Sequence, residues 1–364
     1  RWILESETNM SYFKSRLKES VPKITSDFDA EMAHQRFTEI IKSKKKTSKP
    51  LLRIFKYSAM VALVFAVSIL AKAKLFPDIF KTSQKVVEKE ERISNGNDII
   101  IKLADGTTKI LKSEGNEEIT DANGNVVASK GENYLVFDQA EELEKNTLGN
   151  NEVFVPFGQI FKLKLSDGTL VWLNSGSKLL FPQNFANAQR NRIVYLEGEA
   201  FFDVAKNKDK PFIVNMQEID IKVIGTKFNI SSYKTDKYIT TTLVEGSVNV
   251  YETRTPKNGL QLAPSFQANY NKFGNDFTKT KVDTDIYTAW MENRLVINNL
   301  NFSEILAKLE RKYFVKFVNK AEGLDDELYK GEFSDEKIES VLKTISLSTP
   351  FKYEINQNII TITN

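Results

Sequence analysis

The stretch LKLSDGTLVWL, residues 163–173, alternates apolar and polar side chains on both sides of an Asp-Gly-Thr turn signal. Alternation with a period of two indicates strands that are buried on one face, and Asp-Gly between two such runs is typical of a tight turn. IKLADGTTKIL, residues 101–111, has the same arrangement around the same three residues. This weak internal repeat predicts a β-rich fold built from short, similar units.

Short alternating runs separated by turn signals extend over residues 99–285. YLEGEAFFDV (195–204) and TLVEGSVNVY (242–251) form a second pair, in which an acid-Gly dipeptide lies between two strand-like runs. We interpret this region as all-β, either a solenoid of stacked rungs or a sandwich.

The acids in these turns are candidates for catalysis, because two carboxylates can act together in glycoside hydrolysis. An acid followed by Gly is also ordinary turn chemistry, since the carboxylate accepts backbone N–H groups and Gly supplies positive φ. We favour the turn interpretation, and we expect Trp172 to lie in the core rather than to form a sugar platform. The four acids are Asp167, Glu197, Glu199 and Glu245.

The last seventy or so residues predict a small α+β domain at 290–364. The expected order is strand, helix, strand, strand, helix, strand, strand. Asn301 with Glu304 predicts a capping box for the first helix, and the second helix is expected to begin at Ser334. IITIT, residues 359–363, is expected to be a final strand at a sheet edge.

The run YSAMVALVFAVSILA, residues 57–71, carries no charge. Fifteen residues span about 22 Å, less than the roughly 30 Å core of a bilayer, but the apolar stretch extends outward if flanking lysines reach the interfaces. Residues 42–56 contain seven Lys or Arg and no acid, whereas residues 72–86 contain four Lys and one Asp. The sequence thus predicts a transmembrane helix at 54–76 with its N-terminus in the cytoplasm. A buried helix or a signal peptide is the alternative.

Residues 1–50 are interpreted as a short helical segment, and residues 77–98 as a charged linker. The apolar stripe of the N-terminal segment is expected to bind a partner, although a solvated helical stub is the alternative. The chain opens with Arg1 rather than Met, so we expect further residues before it. The residues of the stripe are Phe28, Met32, Phe37, Ile40 and Ile41.

Composition favours a folded, non-nucleic-acid-binding protein. The chain of 364 residues is 41% hydrophobic with a formal net charge of +3, so it has no strong basic field. It contains no cysteine, which excludes disulfides and thiol chemistry, and its sole histidine is His34. The sequence predicts no catalytic residue, cofactor site or metal site.

Five stretches carry a resemblance to a known family. They are 101–111, VPFGQIFKLKLSDGTLVWLNSGSKLLFPQNF (155–185), RIVYLEGEAFFDVAKNKDKPFIV (192–214), VIGTKFNISSY (223–233) and TLVEGSVNVY (242–251). Together they resemble the FecR family of anti-sigma regulators, in its Bacteroidetes form. The resemblance covers roughly residues 95–364, and the family's sigma-binding helices are only loosely matched in residues 1–50. The residues after 290 resemble the C-terminal domain of these proteins, which is similar to the short N-terminal signalling domains of secretins and TonB-dependent receptors.

The resemblance implies a single-pass protein of the inner membrane, with a periplasmic FecR domain at 99–285. Residues 1–50 would bind an extracytoplasmic-function (ECF) sigma factor. The periplasmic part would receive a signal from the N-terminal domain of a TonB-dependent outer-membrane transducer, through the final strand at Ile359, Ile360 and Ile362. Regulatory proteases would then release the N-terminal piece, and no nucleic acid would be bound directly.

The motif residues carried over from the family are expected to be mainly structural. They are Asp167, Gly168, Thr169, Trp172, Leu173, Asn174, Gly198, Glu199, Gly225, Thr226, Phe228 and Gly246.

A second function from another class stays open: a membrane-anchored carbohydrate-binding or envelope structural module without a sigma partner. The discriminating observation is whether neighbouring genes encode a small sigma factor and a TonB-dependent receptor.

Overall fold

The structure, a computed structural model, describes residues 98–111, 118–130, 134–137, 149–185, 190–256 and 259–364. The predicted helical segment at 1–50 and the predicted transmembrane helix at 54–76 lie outside these residues, as does all but the end of the linker at 77–98. Within the described part, no helix combines the length and the apolar character that crossing a bilayer requires.

Eighteen strands of the described chain form the first of two bodies, here called the β-body. They are β1 Ile99–Lys102, β2 Thr108–Leu111, β3 Ile119–Thr120, β4 Val126–Lys130, β5 Leu135–Val136, β6 Asn150–Phe154, β7 Phe161–Lys164, β8 Leu170–Leu173, β9 Lys178–Pro182, β10 Arg192–Asp203, β11 Phe212–Asn215, β12 Ile219–Val223, β13 Lys227–Ser232, β14 Tyr238–Glu245, β15 Val248–Glu252, β16 Gly259–Leu262, β17 Phe266–Asn271 and β18 Asp276–Lys281.

Hydrogen bonds link all eighteen strands, because the long strand β10 belongs to two ladders. The first ladder has the order β2-β1-β6-β9-β10-β11-β12-β15-β16. The second has the order β4-β5-β7-β8-β10-β13-β14-β17-β18, with β3 paired to β4. After β10 the chain adds two strands to one ladder and then two to the other, so neighbouring hairpins alternate between the ladders.

The two ladders share one hydrophobic core, which makes the β-body a sandwich. Phe202 of the second ladder lies 6.1 Å, ring centre to ring centre, from Phe212 of the first, and 5.3 Å from Phe228. All three are fully buried. Every second residue of β8 points into this core, as the alternating sequence predicts.

The β-rich character predicted for this region is confirmed, and of the two predicted arrangements the structure has the sandwich. The two stretches of the first repeat are not neighbouring units of the fold. The hairpin of residues 101–111 lies in the first ladder and that of 163–173 in the second. The repeat reflects shared turn chemistry: Asp105 and Asp167 each accept hydrogen bonds from the N–H and the hydroxyl of the Thr two residues later.

The change of ladder within β10 occurs at Gly198. Residues up to Glu197 pair with β9 or β11, and residues from Gly198 pair with β13. Gly198 has φ +103°, and a Cβ there would lie 2.5 Å from the Ser177 Oγ. The corner therefore requires a residue without a side chain.

The second body, here called the C-terminal body, follows a short connection. That connection contains α1 (Asp285–Thr288) and a 3-10 turn at Ala289–Glu292. The body itself contains β19 Leu295–Leu300, α2 Phe302–Tyr313, β20 Lys316–Asn319, a 3-10 turn at Leu324–Asp326, β21 Tyr329–Phe333, α3 Ile338–Ser348, β22 Lys352–Asn356 and β23 Ile359–Thr363.

The order of helices and strands in the C-terminal body agrees with the predicted one. The Asn301 side chain accepts a hydrogen bond from the Glu304 N–H, and the Glu304 side chain accepts one from the Asn301 N–H, which confirms the predicted capping box. The second helix begins at Ile338 rather than at Ser334. The Glu336 carboxylate accepts a hydrogen bond from the Ser334 N–H, which holds the preceding residues in a turn.

The C-terminal body has its own hydrophobic cluster, separate from the core of the β-body. Buried apolar residues of α2 and α3 pack there with Ile360 and Ile362 of β23. Whether the two bodies are the independent domains predicted at 99–285 and 290–364 stays a prediction.

The prediction that the last strand lies at a sheet edge is wrong. β23 pairs with β20 on one side and with β22 on the other, so it is the central strand of three. Ile360 and Ile362 are fully buried, and only Ile359 is exposed. Alternation in the sequence shows that a strand has one buried face, but it does not show how many neighbours the strand has.

Candidate functional site

A cleft of about 330 Å³ lies between the β-body and the C-terminal body. We call it the junction cleft. Its β-body wall includes Asn174, Ser175 and Glu199, and its opposite wall includes Trp290 and Lys308. Two residues carried over from the family motif, Asn174 and Glu199, thus face the C-terminal body. Clefts between bodies are common places for ligands and for relative motion.

Glu199 is the centre of a hydrogen-bond network on the β-body wall. Its residue is only 9% exposed. Asn174 donates to the Glu199 Oε2 at 2.8 Å, and Asn229 donates to the Oε1 at 3.0 Å. In the described part of the chain, no cation lies within ion-pairing distance of this carboxylate. Among the described residues, the side chains that donate to this carboxylate are two neutral amides, whereas buried charges are usually paired.

The backbone around Glu199 is fixed by Ser177. The Ser177 hydroxyl donates to the Glu199 carbonyl at 2.9 Å and accepts from the Glu199 N–H at 2.8 Å. These bonds join β10 to the turn between β8 and β9 next to the corner at Gly198. The carboxylate is consequently positioned by main-chain geometry, as a binding group must be.

Trp290 connects the network to the second body. Its indole Nε1 donates to the Asn229 Oδ1 at 3.0 Å, and the same Asn229 side chain donates to Glu199. Asn229 is 2% exposed, and both the nitrogen and the oxygen of its amide take part in these hydrogen bonds. The segment that precedes the C-terminal body is in this way tied to the β-body core by a side-chain hydrogen bond.

Arg311 of α2 forms a second connection. Its guanidinium lies 4.0 Å above the ring of Tyr233 and pairs with Asp236 at 3.0 Å. The Arg311 carbonyl accepts a hydrogen bond from the Gly158 N–H at 2.7 Å. Arg311 therefore contacts the β-body in three ways: it stacks on a ring, forms an ion pair and accepts a main-chain hydrogen bond.

Tyr233, on which Arg311 stacks, is itself held in place by a hydrogen bond. Its hydroxyl donates to the Ser175 carbonyl at 2.8 Å. Burial, with a further contribution from the charge of Glu199, raises the pKa of the Tyr233 hydroxyl well above its ordinary value. The hydroxyl therefore remains a neutral donor at any physiological pH.

The cations of the opposite wall differ in how far they are neutralised. Arg311 pairs with Asp236, and Arg294 pairs with Asp285, Glu292 and Glu332. Lys312 donates to the Asn293 carbonyl at 2.7 Å, and burial lowers the pKa of Lys312. Lys308 makes no hydrogen bond or ion pair with any residue that the structure describes. It is the one cation lining the described cleft without a protein partner.

The other motif residues have structural roles in the β-body. The Asp167 carboxylate accepts from Thr169 and forms an ion pair with Arg192 at 2.6 Å, with both side chains almost fully buried. The Thr226 hydroxyl donates to the Ser247 carbonyl beside Gly246. Gly225 packs against Lys206, and Leu173 and Phe228 are in the core. Asn174 and Glu199 are thus the two motif residues that line the junction cleft.

The expected core position of Trp172 is wrong. Val171 and Leu173 point inward and are fully buried, so the strand places Trp172 on the outer face. There it contacts Phe201 edge to face at 5.6 Å, and the Lys162 ammonium lies 4.3 Å above its ring. A sugar could stack on this face only after displacing the lysine.

The four acids considered for glycoside hydrolysis have separate structural partners. Asp167 pairs with Arg192, Glu197 with Lys234 and Glu245 with Lys227, while Glu199 accepts from two amides. Within the described residues there is also no group of three or more His, Cys, Asp or Glu side chains that could hold a metal ion.

Comparison with known proteins agrees with the motif resemblance. Residues 151–249 match the family described as FecR protein, and residues 294–362 match the family described as FecR, C-terminal. A crystal structure of a candidate anti-sigma factor from Parabacteroides distasonis ATCC 8503 is 31% identical to the chain, with a TM-score of 0.55, and the match covers 59% of this chain and 99% of that one.

The chain belongs to the FecR family of anti-sigma factors. A second crystal structure from the same organism, described in the same way, is 32% identical with a TM-score of 0.54 and covers 58% of this FecR protein and 97% of that chain. No curated protein matches the chain. Regulatory proteins of this kind are not enzymes, and their partner is a sigma factor.

Sequence reasoning on this FecR protein missed Asn229, Trp290 and Arg311. Each contributes to the junction through a contact with a residue at least 61 positions away in the chain. Trp290 is the first residue of the domain predicted at 290–364, before its first predicted strand, and no motif in the sequence marks it. Arg311 lies on the side of α2 opposite its buried apolar residues, where a solvated residue is the ordinary expectation.

Replacing Trp290 with Phe is expected to weaken the docking of the C-terminal body. The change removes the indole donor and leaves the buried Asn229 Oδ1 unpaired, a loss of about 1–2 kcal/mol. Hydrogen exchange and limited proteolysis at residues 282–294 should therefore become faster, while the β-body core stays protected. The matched control is Trp172→Phe, which lies away from the junction. Equal exchange at 282–294 in both variants would contradict the docking role.

Proposed function

We propose that this protein is a transmembrane anti-sigma factor whose residues 1–50 bind an ECF sigma factor in the cytoplasm. The helix at 54–76 crosses the inner membrane once, and the β-body and C-terminal body lie in the periplasm. There they receive a signal from the N-terminal domain of a TonB-dependent outer-membrane receptor. The observation that carries the proposal is the family membership, together with the charge bias around residues 57–71.

The junction between the two bodies supports the idea of a relay. A signal that reaches the C-terminal body can affect the β-body only through contacts that differ between two states. Trp290 and Arg311 are candidates for such contacts, because each joins the β-body to a segment outside it. Regulated proteolysis near the membrane would then make the response irreversible.

The outer-membrane receptor is proposed to pair with a free strand edge of the C-terminal body. Because β23 is central, the available edges of its sheet are β20 and β22. Strand pairing uses main-chain groups and therefore suits two small strand-containing domains. This places the proposed contact on Lys316–Asn319 or Lys352–Asn356 rather than on Ile359, Ile360 and Ile362.

Changing Phe37, Ile40 and Ile41 together to Asp is expected to release the sigma factor. The three residues are the last three of the N-terminal stripe, and apolar anchors of an interface contribute roughly 2 kcal/mol each. Copurification of the sigma factor with the full chain should be lost, and a reporter for its promoters should change. The control is Thr38 and Lys42 changed to Asp, two polar residues of the same predicted segment that are not part of the stripe. Unchanged copurification in the first variant would contradict the proposal.

A further inference from the structure

The junction cleft presents one unpaired charge of each sign on opposite walls. The Glu199 carboxylate is buried and accepts only two amide hydrogen bonds, although a carboxylate can accept about four. The Lys308 ammonium lines the other wall and has no partner among the described residues. No ion pair joins the two side chains across the cleft, so neither charge has a counter-ion among the described residues.

We propose that the junction cleft binds a zwitterionic ligand, an amino acid or short peptide whose ammonium contacts Glu199 and whose free carboxylate contacts Lys308. A simple cation would satisfy Glu199 but would leave Lys308 without a counter-charge. A simple anion would satisfy Lys308 but would face the buried carboxylate. Only a molecule with both charges neutralises both walls.

The size and the remaining lining of the cleft restrict the ligand further. About 330 Å³ is at the lower end of the volumes of small-molecule sites, which suits a dipeptide better than a long peptide. Ile160, Tyr287 and Trp290 contribute apolar surface, so an aromatic or aliphatic side chain is favoured. The Trp290 indole already donates to Asn229, and its ring is therefore held in place before the ligand arrives.

Bound in this position, the ligand would bridge the β-body and the C-terminal body. Glu199 belongs to β10 and Lys308 to α2, so the ligand would strengthen the docking that Trp290 and Arg311 provide. This inference goes beyond the proposed function, and it can be tested without any sigma factor or outer-membrane receptor.

Calorimetric titration of the full chain, purified in mild detergent, tests the proposal with three matched probes. They are alanyl-phenylalanine, its N-acetylated form and its C-terminal amide. We expect the free dipeptide to bind and each blocked form to bind about tenfold more weakly or worse, since each lacks one charged contact. Equal binding of all three probes, or no binding of the free dipeptide up to about 10 mM, would overturn the proposal.

Two variants separate the ligand contact from folding. Lys308→Met removes a side chain without a described partner, so the fold should be unaffected while dipeptide affinity falls about tenfold. Lys330→Met, at an exposed position of β21, is the control and should bind as the unaltered protein does. Glu199→Gln should also bind the dipeptide more weakly. Its melting temperature shows whether the hydrogen bonds around residue 199 are retained. If Lys308→Met binds the dipeptide as tightly as the unaltered protein does, the proposed contact between Lys308 and the ligand carboxylate is wrong.

Discussion

Arg192→Met is expected to lower the free energy of unfolding of the β-body by about 3–5 kcal/mol. The Arg192 Nη1 lies 2.6 Å from the Asp167 Oδ2, and the two side chains are 2% and 8% exposed. Removing the cation leaves a carboxylate buried without its counter-charge, which is far more costly than losing an exposed pair. A typical domain is stable by only 5–15 kcal/mol, so this change removes a large fraction of the total.

Arg192 also links distant parts of the chain to the Asp-Gly-Thr turn. Its Nε donates to the Lys210 carbonyl and its Nη1 to the Ala205 carbonyl, both at 2.9 Å. Methionine can fill part of the volume but cannot donate to any of these oxygens. The variant therefore leaves carbonyl groups unpaired as well as a charge.

Urea denaturation followed by tryptophan fluorescence measures the effect of Arg192→Met, and the control is Lys234→Met. Lys234 forms an ion pair with Glu197 of similar length, 2.7 Å, but the side chains are 71% and 40% exposed. Exposed pairs contribute about 1 kcal/mol or less. Comparable losses in the two variants would show that burial of the Asp167–Arg192 pair is not what makes it important.

Gly198→Ala is expected to destabilise the β-body even more severely and to prevent accumulation of the folded protein. An alanine at φ +103° is strained by about 1–2 kcal/mol. Its Cβ would in addition lie 2.7 Å from the Ser177 Cα, a backbone atom that cannot move without disturbing the turn between β8 and β9. Ser177 also holds the Glu199 backbone, so the junction cleft would be distorted as well.

Gly106→Ala provides the matched control for Gly198→Ala. Gly106 has φ +88°, and a Cβ there would meet no atom within 4 Å. The control carries the conformational strain without the collision, so its loss of stability should stay at about 1–2 kcal/mol. Soluble yield and melting temperature distinguish the two effects. If both variants fold equally well, the corner of β10 tolerates a side chain and our account of the change of ladder is wrong.

The sequence allowed the local structure to be predicted well where the signal is local. The capping box of Asn301 and Glu304 involves residues three positions apart, and both of its hydrogen bonds are present. The Asp-Gly-Thr turns likewise depend on contacts two residues along the chain, and both have the expected carboxylate bonds. Periodicity also gave the correct sequence of helices and strands in the C-terminal body.

The errors concern relations between elements. β23 alternates as an edge strand would, yet it pairs on both sides, and LVWL places Trp172 outward although the run is apolar throughout. The alternation of apolar and polar residues shows which side chains share a face of a strand. The neighbouring strands decide whether that face is covered and whether the strand has a free edge. Sequence could not supply those partners.

The sequence by itself determined the β-rich class, the capping box of α2, the turn chemistry and the family resemblance, because each depends on residues close together in the chain or on a motif read in order. Only the tertiary structure decided that the strands form two ladders joined at Gly198, and that Asn174 and Glu199 of the motif meet Trp290 and Lys308 at one cleft. The physical reason is that these contacts join residues far apart in sequence. Their formation depends on how the whole core closes, which no local pattern records.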